Sequence, residues 1–162
     1  MKRTGLCAIT SCVVLLACES QPPGLDASHH YAASTMVATR VSDLVWNDLG
    51  LIPRVTIAVL SGNPGEPGHY VVRLKFPPKT RMPAHWHPRA EYATILSGTL
   101  LLGMGEKEDL AAVQPYTAGS FLVVPPRMPH YGKSEDEVIF ELSGPGPYEV
   151  VFVNPADDPR KK

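Results

Sequence analysis

The chain has 162 residues, 44% of them apolar and 19% charged, with a formal net charge of −1. These proportions belong to a folded globular domain rather than a disordered chain, and no apolar run reaches the roughly 18 residues that a membrane-spanning helix needs. Nucleic acid is not an expected partner, because Arg160, Lys161 and Lys162 at the end form only a small basic tail and no basic patch accompanies them.

Lys2 and Arg3 precede a short apolar stretch, Leu6 to Ala17, which is the form of a secretory signal. Without these two charges, 13 basic residues stand against 16 acidic ones, a balance of −3. The stretch closes on Leu15-Leu16-Ala17-Cys18, which resembles the lipobox of bacterial lipoproteins. That resemblance implies a leader at residues 1–17, acylation of Cys18, and an exported, membrane-anchored lipoprotein facing the periplasm or the cell exterior. The other reading is an ordinary cleaved signal in which Cys18 is a bystander. All three cysteines, Cys7, Cys12 and Cys18, lie in or at the end of this segment, so the domain beyond has none for a disulfide. Residues 18–35 carry Gln-Pro-Pro-Gly and then Ser28-His29-His30, and read as a flexible tether with solvated histidines.

Residues 36–155 form the expected domain, and 156–162 a polar tail. Period-two alternation begins at Val55, with Val55, Ile57 and Val59 on one face, followed by turn residues at Ser61 to Gly65. Next, Tyr70, Val72, Leu74 and Phe76 alternate with His69, Val71, Arg73 and Lys75, a strand with one apolar and one largely polar face. Further strands are expected at Met82 to His87, Glu91 to Ser97, Thr99 to Met104, Phe121 to Val124, Glu137 to Leu142 and Tyr148 to Val153. Lys107 to Val113 is the one short helix expected. Glycine and proline, 13 and 17 copies, fall mostly between these runs. Short strands without intervening helices predict an all-β sandwich or barrel.

The chemistry concentrates in His85-Trp86-His87-Pro88-Arg89-Ala90-Glu91. Histidines two apart on a strand project from one face, so their imidazoles can converge on an ion. Glu91 opens the next strand and can bring a carboxylate to the same point. His130, just beyond the Pro125 to Pro129 turn, is the candidate fourth ligand.

His85-x-His87-x3-Glu91-x6-Gly98 resembles the first motif of the cupin superfamily, and Gly119-x5-Pro125-x4-His130 resembles the second. Three positions depart from the pattern: Lys79 and Arg127 stand where glycine is usual, and Ser134 where asparagine often closes the second motif. The resemblance implies a single cupin (RmlC-like) jelly-roll β-barrel of the small stand-alone bacterial kind. It also implies one divalent transition metal ion (Fe, Mn, Ni, Cu or Zn) held by His85, His87, Glu91 and His130, with open positions for a small-molecule ligand or substrate. Three functions follow from it: a metal-dependent dioxygenase in which Glu91 also accepts a substrate proton, a non-redox isomerase or decarboxylase, and a binding or sensing domain without turnover. Tyr70, Phe76, Met104 and Phe140 are candidate pocket residues, with Val72 and Val138 beside them, and Arg127 is a candidate receiver of an anionic group. Packing in the core is the competing role for the apolar ones. A homodimer formed through an edge strand, with Met36 to Trp46 supplying it, is a further expectation from the resemblance.

Overall fold

The alternating runs become strands in a computed structural model, which describes residues 36–161. In chain order these are β1 (Asn47–Asp48), β2 (Thr56–Ser61), β3 (Gly68–Phe76), β4 (Arg81–Trp86), β5 (Glu91–Ser97) and β6 (Thr99–Met104). They continue with β7 (Gln114–Thr117), β8 (Phe121–Val124), β9 (His130–Lys133), β10 (Val138–Gly146) and β11 (Val151–Phe152). The expected leader, the expected tether and Cys18 lie outside the described residues.

Six strands form one antiparallel sheet in the order β1-β2-β3-β10-β5-β8, and five form a second in the order β11-β4-β9-β6-β7. Every strand pairing falls within one sheet or the other. The fold is therefore a two-sheet jelly roll, which corrects the expected closed barrel.

The core lies where the inward faces of the two sheets meet. On β3 the buried positions are Tyr70, Val72, Leu74 and Phe76, the set marked by the alternation. Their register partners on β10 are Gly144, Leu142, Phe140 and Val138, and the Phe76 and Phe140 rings meet edge to face at 5.1 Å. Burying each such side chain stabilises the fold by about 1.5–3 kcal/mol. On the opposite face of the same strand pair, the register partners Arg73 and Glu141 make an ion pair of 3.2 Å. The chain crosses from β5 in one sheet to β6 in the other at Gly98, whose φ is +73° and where a Cβ would run into the Glu137 carbonyl. Glycine is required there on both counts.

Four expectations change. Residues 107–113 form turns, not a helix: Glu108 is held by Arg81 through a bidentate pair and accepts the Ala84 N–H, and Asp109 accepts the Ala111 N–H. Seven residues with those outside attachments are too few to nucleate a helix. On β2, Ala58 is buried while Val59 is 49% exposed, and the register shifts between Val59 and Ser61. The last predicted strand shrinks to Val151–Phe152, because the residues before it form a loop across the site. The polar tail winds into two 3₁₀ turns, Pro155–Asp157 and Pro159–Lys161, between which Asp158 is only 5% exposed. Arg160 grips both Asp158 oxygens and donates to the Val150 carbonyl at 2.9 Å.

Candidate metal centre

β4 and β9 pair antiparallel, and His85 stands directly opposite His130. The register of β4 slips between Met82 and His85. Met82 and His85 are three residues apart and would otherwise face opposite ways, so the bulge lets both point between the sheets. His87 follows two residues later and shares the side of His85. All three imidazoles are buried, and their ligating nitrogens lie within 4.8 Å of one another. Glu91 enters from the other sheet, at the start of β5. Its Oε1 is 3.4 Å from His87 Nε2 and its Oε2 is 3.9 Å from His130 Nε2. Glu91 thus flanks the three-histidine group on its His87–His130 side.

Backbone carbonyls fix the tautomers. His85 Nδ1 donates to Pro83 O at 2.7 Å, His87 Nδ1 to Glu149 O at 2.7 Å, and His130 Nδ1 to Met128 O at 3.1 Å. A carbonyl only accepts, so each Nδ1 carries the proton and each Nε2 presents a bare lone pair. Burial holds the rings neutral. It lowers His85 well below the usual histidine range, reinforced by His130 and His87. It takes His87 down to about 4, with His130 adding to the effect, and it lowers His130 as well. Burial pushes the Glu91 carboxyl up to about 8. In the absence of a cation the His87–Glu91 contact is therefore no ion pair near neutral pH, since both partners are neutral there.

Among the described residues His87 Nε2 is buried without a hydrogen-bond partner. An orphaned acceptor of this kind is costly, and here it is one of three lone pairs turned toward one another beside the Glu91 carboxyl. A divalent cation satisfies this donor set: histidine and carboxylate are ligands for zinc and its first-row neighbours, and the Nδ1–carbonyl bonds are the outer-shell contacts such ligands use.

The group stands at the wall of a small cavity lined by His85, Glu91 and His130 together with Leu74, Leu100, Leu102, Leu122, Phe140 and Leu142, among others. Of the expected pocket residues, Phe140 lines this cavity, Phe76 lines a second one beside it, and Tyr70 lines a small space next to Glu91. Val72 and Val138 are fully buried core. Met104 does not reach the pocket: it is 50% exposed at the end of β6. Arg127 is exposed in the turn and lines none of these cavities, so it is not placed to receive a substrate group. Its contribution is through the backbone, where its N–H donates to the His87 carbonyl at 2.7 Å.

Tyr148 was missed by sequence reasoning as a site residue. It lines the main cavity and stacks on His87 at 5.3 Å with a 21° tilt. Burial, with Glu91 and Tyr70 nearby, raises its phenol well above the ordinary value, so it stays protonated. The one signal available was an aromatic placed directly after the Gly144-Pro145-Gly146-Pro147 breaker run, where loop residues often carry function.

A family model described as "Cupin domain" matches residues 72–143, which contain both motifs and all four candidate ligands. These residues form a cupin domain. Several solved cupin-like folds resemble it. The polyketide cyclase RemF from Streptomyces resistomycificus is 18% identical with a TM-score of 0.64, covering 78% of this chain and 92% of its own. An RmlC-like cupin from Shewanella frigidimarina is 16% identical with a TM-score of 0.55, covering 69% and 93%. KdgF from Halomonas sp. is 18% identical with a TM-score of 0.54, covering 69% and 96%. No curated protein matches the chain by sequence. In this domain the two positions where glycine is usual keep a glycine-like backbone, with φ of +59° at Lys79 and +61° at Arg127. Ser134, in place of the closing asparagine, is buried and donates to the Pro77 carbonyl at 3.0 Å.

Proposed function

We propose that the protein holds one divalent transition metal ion through His85, His87 and His130, with Glu91 as a fourth ligand, and acts on a small, uncharged, largely apolar molecule that chelates through oxygen. The observation that carries this reading is the set of three neutral imidazoles, each with its Nε2 bared by a backbone carbonyl, at the wall of an apolar cavity. When bound, such an ion supplies Lewis acidity toward substrate oxygens and, if redox-active, a place for dioxygen to react.

The residues around it supply the rest. Leucines and Phe140 exclude water and favour apolar substrate surface. Among the described residues Glu91 is the one carboxylate lining the main cavity, positioned to hold a substrate proton. Dioxygenase chemistry is the reading tested first: metal-loaded protein is given diketones, flavonols and catechols, and oxygen consumption is followed. Substrate-dependent uptake that vanishes in His87→Ala supports it, and no uptake with any metal counts against it. The second reading is a non-redox Lewis-acid reaction, favoured by Tyr148, whose protonated phenol beside His87 is a ready hydrogen-bond donor to a substrate oxygen. Product formation without oxygen, impaired in Tyr148→Phe, assigns that class. Tight binding of an unchanged ligand assigns sensing. RemF and KdgF share the architecture at 18% identity, a level that carries fold and not reaction.

We also propose export and acylation at Cys18, supported by Lys2, Arg3, the Leu6 to Ala17 stretch and the lipobox resemblance. Incorporation of labelled palmitate that is abolished by Cys18→Ser tests it. Label absent from the intact protein rejects it.

A further inference from the structure

We propose that the substrate site has a second lobe, an apolar side chamber next to His85 that receives the hydrophobic arm of an elongated, uncharged, oxygen-chelating molecule; this deepens the metal-site reading above and rests on it. The chamber is a small cavity that shares four lining residues with the main cavity: Leu74, Met82, His85 and Tyr148. Two of those four are a candidate metal ligand and the tyrosine stacked on another. The two spaces therefore adjoin at the metal centre, and a molecule chelating there can extend into both.

The chemistry of the walls selects the arm. Among the described residues the chamber is otherwise lined by Leu49, Leu51, Ile52, Phe76, Val150 and Phe152, with no Lys, Arg, Asp or Glu. A carboxylate or phosphate placed there would lose its hydration without gaining a partner. An alkyl or aryl arm would gain the transfer of its surface out of water.

The roof is built for covering a guest. Leu49, Leu51 and Ile52 come from the turn between β1 and β2. That turn is held by the Leu49 N–H on Val55 O at 2.9 Å, the Val55 N–H on Ile52 O at 3.2 Å and the Gly50 N–H on Asp48 Oδ1 at 2.9 Å. Leu49 and Leu51 are only partly buried. They retain apolar surface for a ligand to cover, unlike Phe76 in the same lining, which is fully buried.

The test is calorimetric titration of the zinc-loaded protein with acetylacetone and a series in which one methyl is replaced by an alkyl chain of increasing length. Affinity is expected to rise about threefold to fourfold per added methylene until the chamber fills. Leu51→Trp, which fills the roof, should remove that gain, and Leu49→Ala should move the plateau to longer chains. A flat length dependence in the natural protein, or an undiminished one in a folded Leu51→Trp, overturns the proposal. Failure of acetylacetone itself to bind marks failure of the metal reading instead. The chamber is then read without metal, by displacement of the neutral dye N-phenylnaphthylamine with linear alkanols. The same length dependence and its loss in Leu51→Trp support the chamber, and a flat response overturns it.

Discussion

His85 and His130 face each other as register partners on β4 and β9, their ring centroids 4.2 Å apart. The sheet ladder sets that spacing, so the pair is fixed before any ion arrives. His87 and Glu91 then complete the group from the end of β4 and from the opposite sheet.

Removing one imidazole breaks the donor set while leaving the ladder. His87→Ala and His130→Ala are each expected to weaken metal binding by more than the ~10–100-fold that loss of an outer-shell partner costs. Metal content after equilibration with a competing chelator is the measurement. A folded His87→Ala protein with full occupancy contradicts the ligand assignment.

Stability of the metal-free protein should depend on pH in a way that the metal removes. Burial raises Glu91 to about 8, so above its ordinary value the folded chain keeps a proton that the unfolded chain has lost, and stability falls as pH rises toward 8. The three histidines are lowered, His87 to about 4, so from there up to their ordinary value of 6.5 the unfolded chain binds more protons and stability rises with pH. In that lower range Glu91 partly offsets the histidines. The melting temperature of metal-free protein is therefore expected to peak near pH 6.5 and decline to pH 8. The slope of the decline is at most about 1.4 kcal/mol per pH unit. Bound metal, or Glu91→Gln, should abolish the alkaline decline; a flat metal-free curve over that range rejects the buried-carboxyl account.

Lys79 and Arg127 hold left-handed backbones that L-residues adopt at a cost. Lys79→Gly and Arg127→Gly should each raise unfolding stability by up to about 1 kcal/mol in urea melts, and Lys79→Gly should leave metal affinity unchanged. Arg127→Pro should do the reverse, since it removes the N–H bonded to His87 O and cannot take a positive φ. Equal melts for Arg127→Gly and Arg127→Pro would show that this turn is not under the constraint described.

Arg160 acts on the site from a distance. It ties the Val150 carbonyl to Asp158, and the neighbouring Glu149 carbonyl orients His87. Arg160→Met should lower metal affinity by roughly tenfold, as loss of an outer-shell support does, with the cavity chemistry otherwise intact. Arg160→Lys should rescue it only in part, because lysine lacks the fork that grips both Asp158 oxygens. Unchanged affinity in Arg160→Met makes the clamp purely structural.

His85, His87 and Glu91 were legible in the sequence because their spacing has a direct geometric meaning: two apart on a strand is one face, and a proline between strands turns the chain back; His130 came instead from its place after the Pro125 to Pro129 turn and the resemblance of the second motif. β3 was legible for the same reason, its apolar positions falling on alternate residues. β7 and β9 were not. Pro115 masks β7, and proline is tolerated there because β7 is the edge of its sheet. β9 reads His-Tyr-Gly-Lys, with no apolar alternation, and Gly132 sits there because a Cβ would come within 2.6 Å of the Leu101 carbonyl. Met104 misled because it alternates correctly along β6 yet lies where the sheet runs out past the core. Tyr148 was hidden because its role comes from a loop folding back over His87, a contact across 61 residues that no local pattern encodes.

The candidate ligands are divided between the two layers, three imidazoles on the five-stranded side and one carboxylate on the six-stranded side. An ion gripped by both acts as a rivet through the sandwich. Prying the layers apart then means surrendering the cation, so chelators should hasten unfolding, and a chain that matures in metal-poor surroundings should stay looser at its heart until an ion arrives.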